Sequence, residues 1–169
     1  MFNKIINIIL ILWQFPQMLI GYIIVKLTNA EKRIFTTKDG RKIEYYHFER
    51  NTKFTQFISG VSLAAYILLS DNNSEETICH EYGHSIQSMI LGWFYLLTVG
   101  IYSSVFCNLW QRKFHSNWNR YDRHYWYYIK NWCENWADSL GKVDRENVLR
   151  KIPRPANAKY PAMADQRIT

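Results

Sequence analysis

The sequence predicts an α+β fold: an N-terminal apolar helix, a small antiparallel sheet, and two helices that carry candidate metal ligands. Three observations point there. Residues Ile5 to Leu27 are almost continuously apolar, residues 33–50 hold strand formers on both sides of Asp39-Gly40, and ETICHEYGHSIQSMILGWFYLL (76–97) sets His80 and His84 four apart beside Glu81. A chain of 169 residues with sparse Gly and Pro is one domain's worth. Nearly half the residues are apolar, yet the mean hydropathy is slightly negative, so the apolar residues come in blocks. That distribution suits a membrane-attached protein with a polar head.

The N-terminal stretch IINIILILWQFPQMLIGYIIVKL is long enough to cross ~30 Å of hydrocarbon as a helix, although Asn7, Gln14 and Gln17 are polar and Pro16 would kink it. KLTNAEKR after it is a poor cleavage site, which argues against a removed signal peptide and leaves a buried core helix as the other alternative. Lys26 at its end and Lys32, Arg33 and Lys38 after it outnumber Lys4 before it, so the positive-inside rule places the chain beyond Leu27 in the cytoplasm. Three cysteines, Cys79, Cys107 and Cys133, cannot all pair with one another and match no CxxC zinc framework, in keeping with free thiols in a reducing compartment. The net charge of +7 is scattered from Lys4 to Arg167 without a dense run, so nucleic acid is not the expected partner.

In RIFTTKDGRKIEYYHFER, Asp39-Gly40 predicts a hairpin with a type I′ turn, which needs positive φ at both central positions. FISGVSLAAYILLS (57–70) predicts a third strand. Asn73 with Glu76 three residues on reads as a helix N-cap and its capping-box partner, with Glu75 and Glu76 suited to the positive end of the helix dipole.

On that helix, residues four apart sit one turn above each other, so His80 and His84 aim at a common point with Glu81 at the same edge. In this H-E-x-x-H arrangement two neutral imidazoles hold zinc and the Glu takes a proton from the water it activates. Gly83 costs ~1 kcal/mol relative to Ala in a helix and makes sense if something approaches closely between the histidines. A catalytic zinc needs a third protein ligand. NWCENWADSLG supplies Glu134 and, four residues on, Asp138 on the same face, with Gly141 as a stop signal. Glu134 could complete a two-His, one-Glu site, and Asp138 could accept the free ring N–H of a ligand histidine. His115 and His124 are alternative third ligands, and Cys79 and Cys133 flank the ligand positions but turn ~100° away on a helix.

HEYGH followed by ENWAD resembles the H-E-x-x-H and E-x-x-A-D pair of the gluzincin membrane metallopeptidases, the group of the CAAX prenyl endopeptidases and the heat-shock-linked bacterial inner-membrane protease. The resemblance covers residues 76 to 141. It implies a zincin-like domain with one Zn2+ held by His80, His84 and Glu134, catalysis by Glu81, and Asp138 as an orienting residue. The chain is shorter than those enzymes, with fewer apolar segments and fifty positions between His84 and Glu134.

Between the motifs, MILGWFYLLTVGIYSSVFCNLW (89–110) is long enough to span a bilayer, but one crossing would put Glu134 opposite the histidines. The basic residues after it are costly to carry back. The segment is therefore read as re-entrant, interfacial or buried, bending at Gly92 or Gly100. Trp110, Trp118, Tyr121, Tyr125, Trp126, Tyr127, Tyr128 and Trp132 suit a membrane-interface belt or an aromatic core. These readings divide the chain into a membrane-associated helix (1–29), a metallopeptidase domain (30–151) and a proline-punctuated flexible tail (152–169). The expected function is hydrolysis of a peptide or protein substrate at a lipid bilayer, with residues 41–69 offering an edge strand for docking. The alternative is a non-enzymatic membrane protein whose His/Glu cluster only joins helices.

Overall fold

The computed structural model describes residues 2–50, 60–70, 73–103, 105, 117–160 and 162, with the backbone alone for residues 2–5. They form an α+β fold with a four-stranded mixed sheet. Helices α1 (Phe2–Trp13) and α2 (Phe15–Thr28) are separate, broken at Gln14 and bent by 82° relative to each other. Pro16 sits in the first turn of α2, where its missing N–H costs nothing. Among the described residues no single helix is long and apolar enough to cross a membrane. The single helix expected over Ile5 to Leu27, with a kink at Pro16, is thus two short ones broken at Gln14.

Strands β1 (Glu31–Thr36) and β2 (Lys42–His47) pair antiparallel, from Glu31 opposite His47 to Thr36 opposite Lys42. The hairpin stands where Asp39-Gly40 predicts it, but the turn differs. It is a five-residue loop in which only Gly40 has positive φ, while the Asp39 carboxylate takes Thr37, Arg41 and Lys142 as partners. Those bonds hold the Asp39 carboxyl well below the usual carboxylate range.

The third predicted strand is a hairpin in its described part. β3 (Gly60–Leu63) and β4 (Tyr66–Leu69) pair antiparallel across Ala64-Ala65, with Ala64 in the left-handed region at φ 59°. β4 then runs parallel to β2, so the sheet order is β1-β2-β4-β3 and the sheet is mixed, not antiparallel throughout. The reason is that the hairpin consumes the direction reversal and the returning strand, not the arriving one, meets β2. Residues 57–59 lie outside the described residues.

Helix α3 (Glu75–Leu91) carries the histidine motif. Its N-cap is Ser74, whose Oγ accepts from the Thr77 N–H; Asn73 instead bonds the Ser70 carbonyl, one residue away from the expected cap. Ile78 and Cys79 pack on Ile43, Ile67 and Leu69 of the sheet. Gly92 ends the helix at φ 55°, and the chain turns into a π-helical stretch, Leu96–Gly100. After the undescribed residues 106–116, α4 (Arg120–His124) and a second π-helical stretch, Tyr125–Lys130, lead to α5 (Trp132–Gly141) and α6 (Arg145–Arg150). Tyr121 and Tyr125 are core residues with Leu149 and Ile152, whereas Trp132 is exposed. Tyr160 stacks on Tyr125, and its backbone N–H bonds Asp122.

Helices α3 and α5 lie backbone to backbone. A Cβ on Gly83 would stand 1.9 Å from the Ala137 carbonyl oxygen, and one on Gly141 would stand 2.1 Å from that of Cys79. Gly83 is thus explained by close approach, as its position between the histidines suggests. The helix does stop at Gly141, but the left-handed cap is Lys142, and Gly141 is needed for the contact.

Candidate metal centre

Close packing of α3 on α5 brings the two motifs together. His80 Nε2 lies 3.0 Å and His84 Nε2 3.3 Å from the same Glu134 oxygen, Oε2. All three residues are buried, Glu134 completely. Their donor atoms form a buried group able to hold a metal ion. Ligand atoms 2.0–2.2 Å from a zinc stand about 3.4 Å apart at tetrahedral angles. The distances from Glu134 to both rings are already of that size.

The far sides of both rings are fixed. His80 Nδ1 is 2.7 Å from Asp138 Oδ1, and His84 Nδ1 is 2.7 Å from Gln87 Oε1. The Gln87 amide nitrogen donates to the Cys133 carbonyl at 2.8 Å, so its oxygen is the atom facing His84. Both Nδ1 atoms therefore carry the proton and donate, which leaves both Nε2 positions with lone pairs aimed at a carboxylate oxygen. Three electron-rich atoms converging in a buried place need a cation between them, either a proton on a ring or a metal ion.

Charge around the group is arranged to match. Arg145 donates from Nε and Nη2 to the two Asp138 oxygens at 3.0 and 2.9 Å, and its guanidinium lies 3.8 Å from the centre of the Tyr128 ring. Burial alone would favour a neutral His80, but its hydrogen bonds to Asp138 and Glu134 raise it to about 9. Burial opposes ionisation of Glu134 and Asp138 as well, and hydrogen bonds from the histidines, with Arg145 on Asp138, bring both below the usual carboxylate range.

Glu81 lines the same cavity as the triad and is tied to β3. Ser62 Oγ is 2.8 Å from Glu81 Oε2 and 2.7 Å from its backbone carbonyl, and Gly60 leaves the room that Glu81 Oε1 occupies. Ser103 donates to Glu134 Oε1 at 2.6 Å, on the side away from the histidines. Over the group lies a cavity of about 660 Å3. Its walls include β3 on one side, residues 95–101 on another, and Tyr127 and Tyr128. Tyr128 meets His80 edge to face, and burial pushes its hydroxyl up to about 12.

The predicted set Glu81, His80, His84, Glu134 and Asp138 is thus gathered in one place. His124 is not part of the group; its ring packs on Tyr128, and His115 lies outside the described residues. Cys79 turns into the sheet core, and Cys133 sits under Glu134 with Sγ 3.6 Å from Oε1. Gln87, Arg145, Ser62 and Ser103 were not among the sequence candidates. Only Gln87 had a signal: it is three residues from His84 on the same helical face. No protein-family model matches the chain, and no curated protein or solved structure matches it significantly.

Proposed function

We propose that the chain is a zinc-dependent, membrane-associated metallopeptidase of the gluzincin type. The observation that carries this reading is the convergence of two Nδ1-protonated histidines and a buried carboxylate on one point, with a second carboxylate, Glu81, beside it in an open cleft. His80, His84 and Glu134 would hold the ion. Zinc, when bound, supplies Lewis acidity toward a carbonyl oxygen and lowers the pKa of water toward ~7.

The chain's own residues divide the remaining work. Glu81, steadied by Ser62, takes a proton from the attacking water and delivers it to the leaving amine. Asp138 and Gln87 hold the ligand rings in tautomer and orientation, and Arg145 neutralises Asp138. β3 is a sheet-edge strand and lines the cleft, so an extended peptide can add to it by backbone hydrogen bonds. Basic residues beside the N-terminal helices favour a site at an anionic membrane face such as the cytoplasmic leaflet.

A second reading rests on the short His80–Glu134 and His80–Asp138 bonds, which a protonated ring satisfies by itself: the cluster would only fasten α3 to α5. Metal content and Glu81 separate the two. Purified protein should carry one zinc per chain, with His80→Ala, His84→Ala and Glu134→Ala each losing it. Glu81→Gln should keep the zinc and the fold and lose hydrolysis of a fluorogenic peptide library. Equal zinc in wild type and His84→Ala would sink the metal reading, and hydrolysis by Glu81→Gln at the wild-type rate would sink the assigned base.

A further inference from the structure

Three apolar surfaces meet at one junction. α1 exposes Ile9 and Leu12, α2 exposes Ile23 and Leu27, and the stretch after α3 exposes Phe94 and Leu97, the last two at 62% and 65%. Polar groups at the junction are spent inward. The Trp13 indole donates to the Met89 carbonyl at 3.1 Å, the Trp93 indole to that of Leu12 at 2.8 Å, and the Gln17 amide to that of Gly92 at 2.6 Å. What remains outside on all three segments is large apolar side chains, the kind of exposure that marks an interaction site.

Charge says what covers it. No Asp or Glu occurs from Met1 to Ala30 or from Tyr82 to Tyr121, while Lys4, Lys26, Arg112, Lys113 and Arg120 fall in those stretches. Apolar segments whose only internal charges are cations fit an anionic lipid surface.

The helices do not fit a crossing. The middle of α2 rests on the sheet: a Cβ on Gly21 would stand 2.7 Å from Tyr66 of β4. Open sheet edges do not enter hydrocarbon, so α2 lies along the surface and not through it. α1, with 12 residues, is about 18 Å long, short of the ~30 Å core, and sinking it would strand the Lys4 charge near the midplane.

We propose that α1, α2 and the outer face of residues 93–101 seat the protein in one leaflet of an anionic membrane, parallel to its plane. Leu97 and Ile101 belong both to this surface and to the wall of the cleft, so the cleft opens beside the headgroups. The inference rests on the membrane part of the proposed function and deepens it; it does not draw on the metal chemistry.

The test uses the full chain. It should sediment with phosphatidylcholine vesicles containing phosphatidylglycerol and about tenfold less well with phosphatidylcholine alone, the affinity falling with salt. Phe94→Glu with Leu97→Glu should weaken sedimentation by at least about tenfold. With the three native cysteines replaced by alanine, Lys4→Cys and Lys32→Cys should both be shielded from an impermeant maleimide in intact cells and both be labelled after lysis. Labelling of position 4 alone in intact cells would show a crossing and overturn the proposal. So would a protein that ignores all vesicles and buries this surface in a dimer of itself. Zinc content read on the same preparations keeps the two readings apart: zinc lost with vesicle binding intact counts against the metal centre only.

Discussion

A proton on each Nδ1 decides what the two histidines can do, and two residues hold it there. Asp138 does so for His80 and Gln87 for His84. Loss of such an orienting partner costs ~10–100-fold in metal affinity. Asp138→Asn and Gln87→Ala should each weaken zinc binding in that range in a chelator competition, while His124→Gln should leave it unchanged. Wild-type affinity in Gln87→Ala would mean that the Cys133 carbonyl contact is only structural. His124 has a different role. Burial, with the Arg145 charge nearby, lowers its imidazole from 6.5 to about 4, and its Nε2 has no partner among the described residues. Between those values the unfolded chain binds a proton that the folded chain does not. This part of the stability is therefore complete above pH 6.5 and is lost as the pH falls toward 4. Each unit of that gap corresponds to ~1.4 kcal/mol. Thermal midpoints should fall less from pH 7 to pH 5 in His124→Gln than in wild type; equal falls would show that the ring titrates freely. That His80, His84, Glu134 and Asp138 would meet was legible because four-residue spacing on each of two helices is written in the sequence; the role read for Glu81 rests on its place beside His80. Arg145 and Ser62 were not legible, since only tertiary packing brings them to Asp138 and Glu81.

The pair α3 and α5 has almost no tolerance in its spacing. Any side chain at Gly83 meets the Ala137 carbonyl at 1.9 Å, backbone against backbone, so the helices must separate. Gly83→Ala should cost ~1–3 kcal/mol or more by overpacking and should weaken zinc binding in the same step, because Glu134 rides on the displaced helix. Gly40→Ala is the contrasting case. Its φ of 80° makes alanine strained, but nothing lies within 4 Å, so ~1 kcal/mol of stability should go with zinc affinity intact. A Gly83→Ala protein with unchanged zinc affinity would disprove the coupling. Gly83 was readable as a sign of close approach, but what approaches it was not. The β1–β2 hairpin was readable from Asp39-Gly40, whereas the β3–β4 reversal at Ala64-Ala65 carries no turn residue and hid inside one apolar run. That reversal produces the parallel pairing of β4 with β2, which no local pattern could show.

At the scale of the whole molecule, apolar blocks foretold the attachment of helices to a polar body, and the break at Gln14 changed their arrangement. Gln14 and Gln17 looked like flaws in a spanning helix; they are the residues that tie α1 and α2 to the end of α3 through Ser88 and Gly92. Replacing Gln17 by Leu should loosen that junction, seen as faster amide exchange in α2, and unchanged exchange would show that apolar packing alone holds it. The hairpin loop reaches the other end of the pair, where Arg41 donates to the Gly141 carbonyl at 3.1 Å. Contacts this far apart in the chain set an order in time. During synthesis the apolar N-terminal helices emerge first, and the histidines come next without a third ligand. Glu134, and Arg145 that neutralises Asp138, leave the ribosome roughly fifty to sixty residues after His84, at 5–20 residues per second some 3–12 s later. The nascent chain thus presents its apolar helices before all three candidate ligands exist, and the proposed centre waits for the C-terminal third.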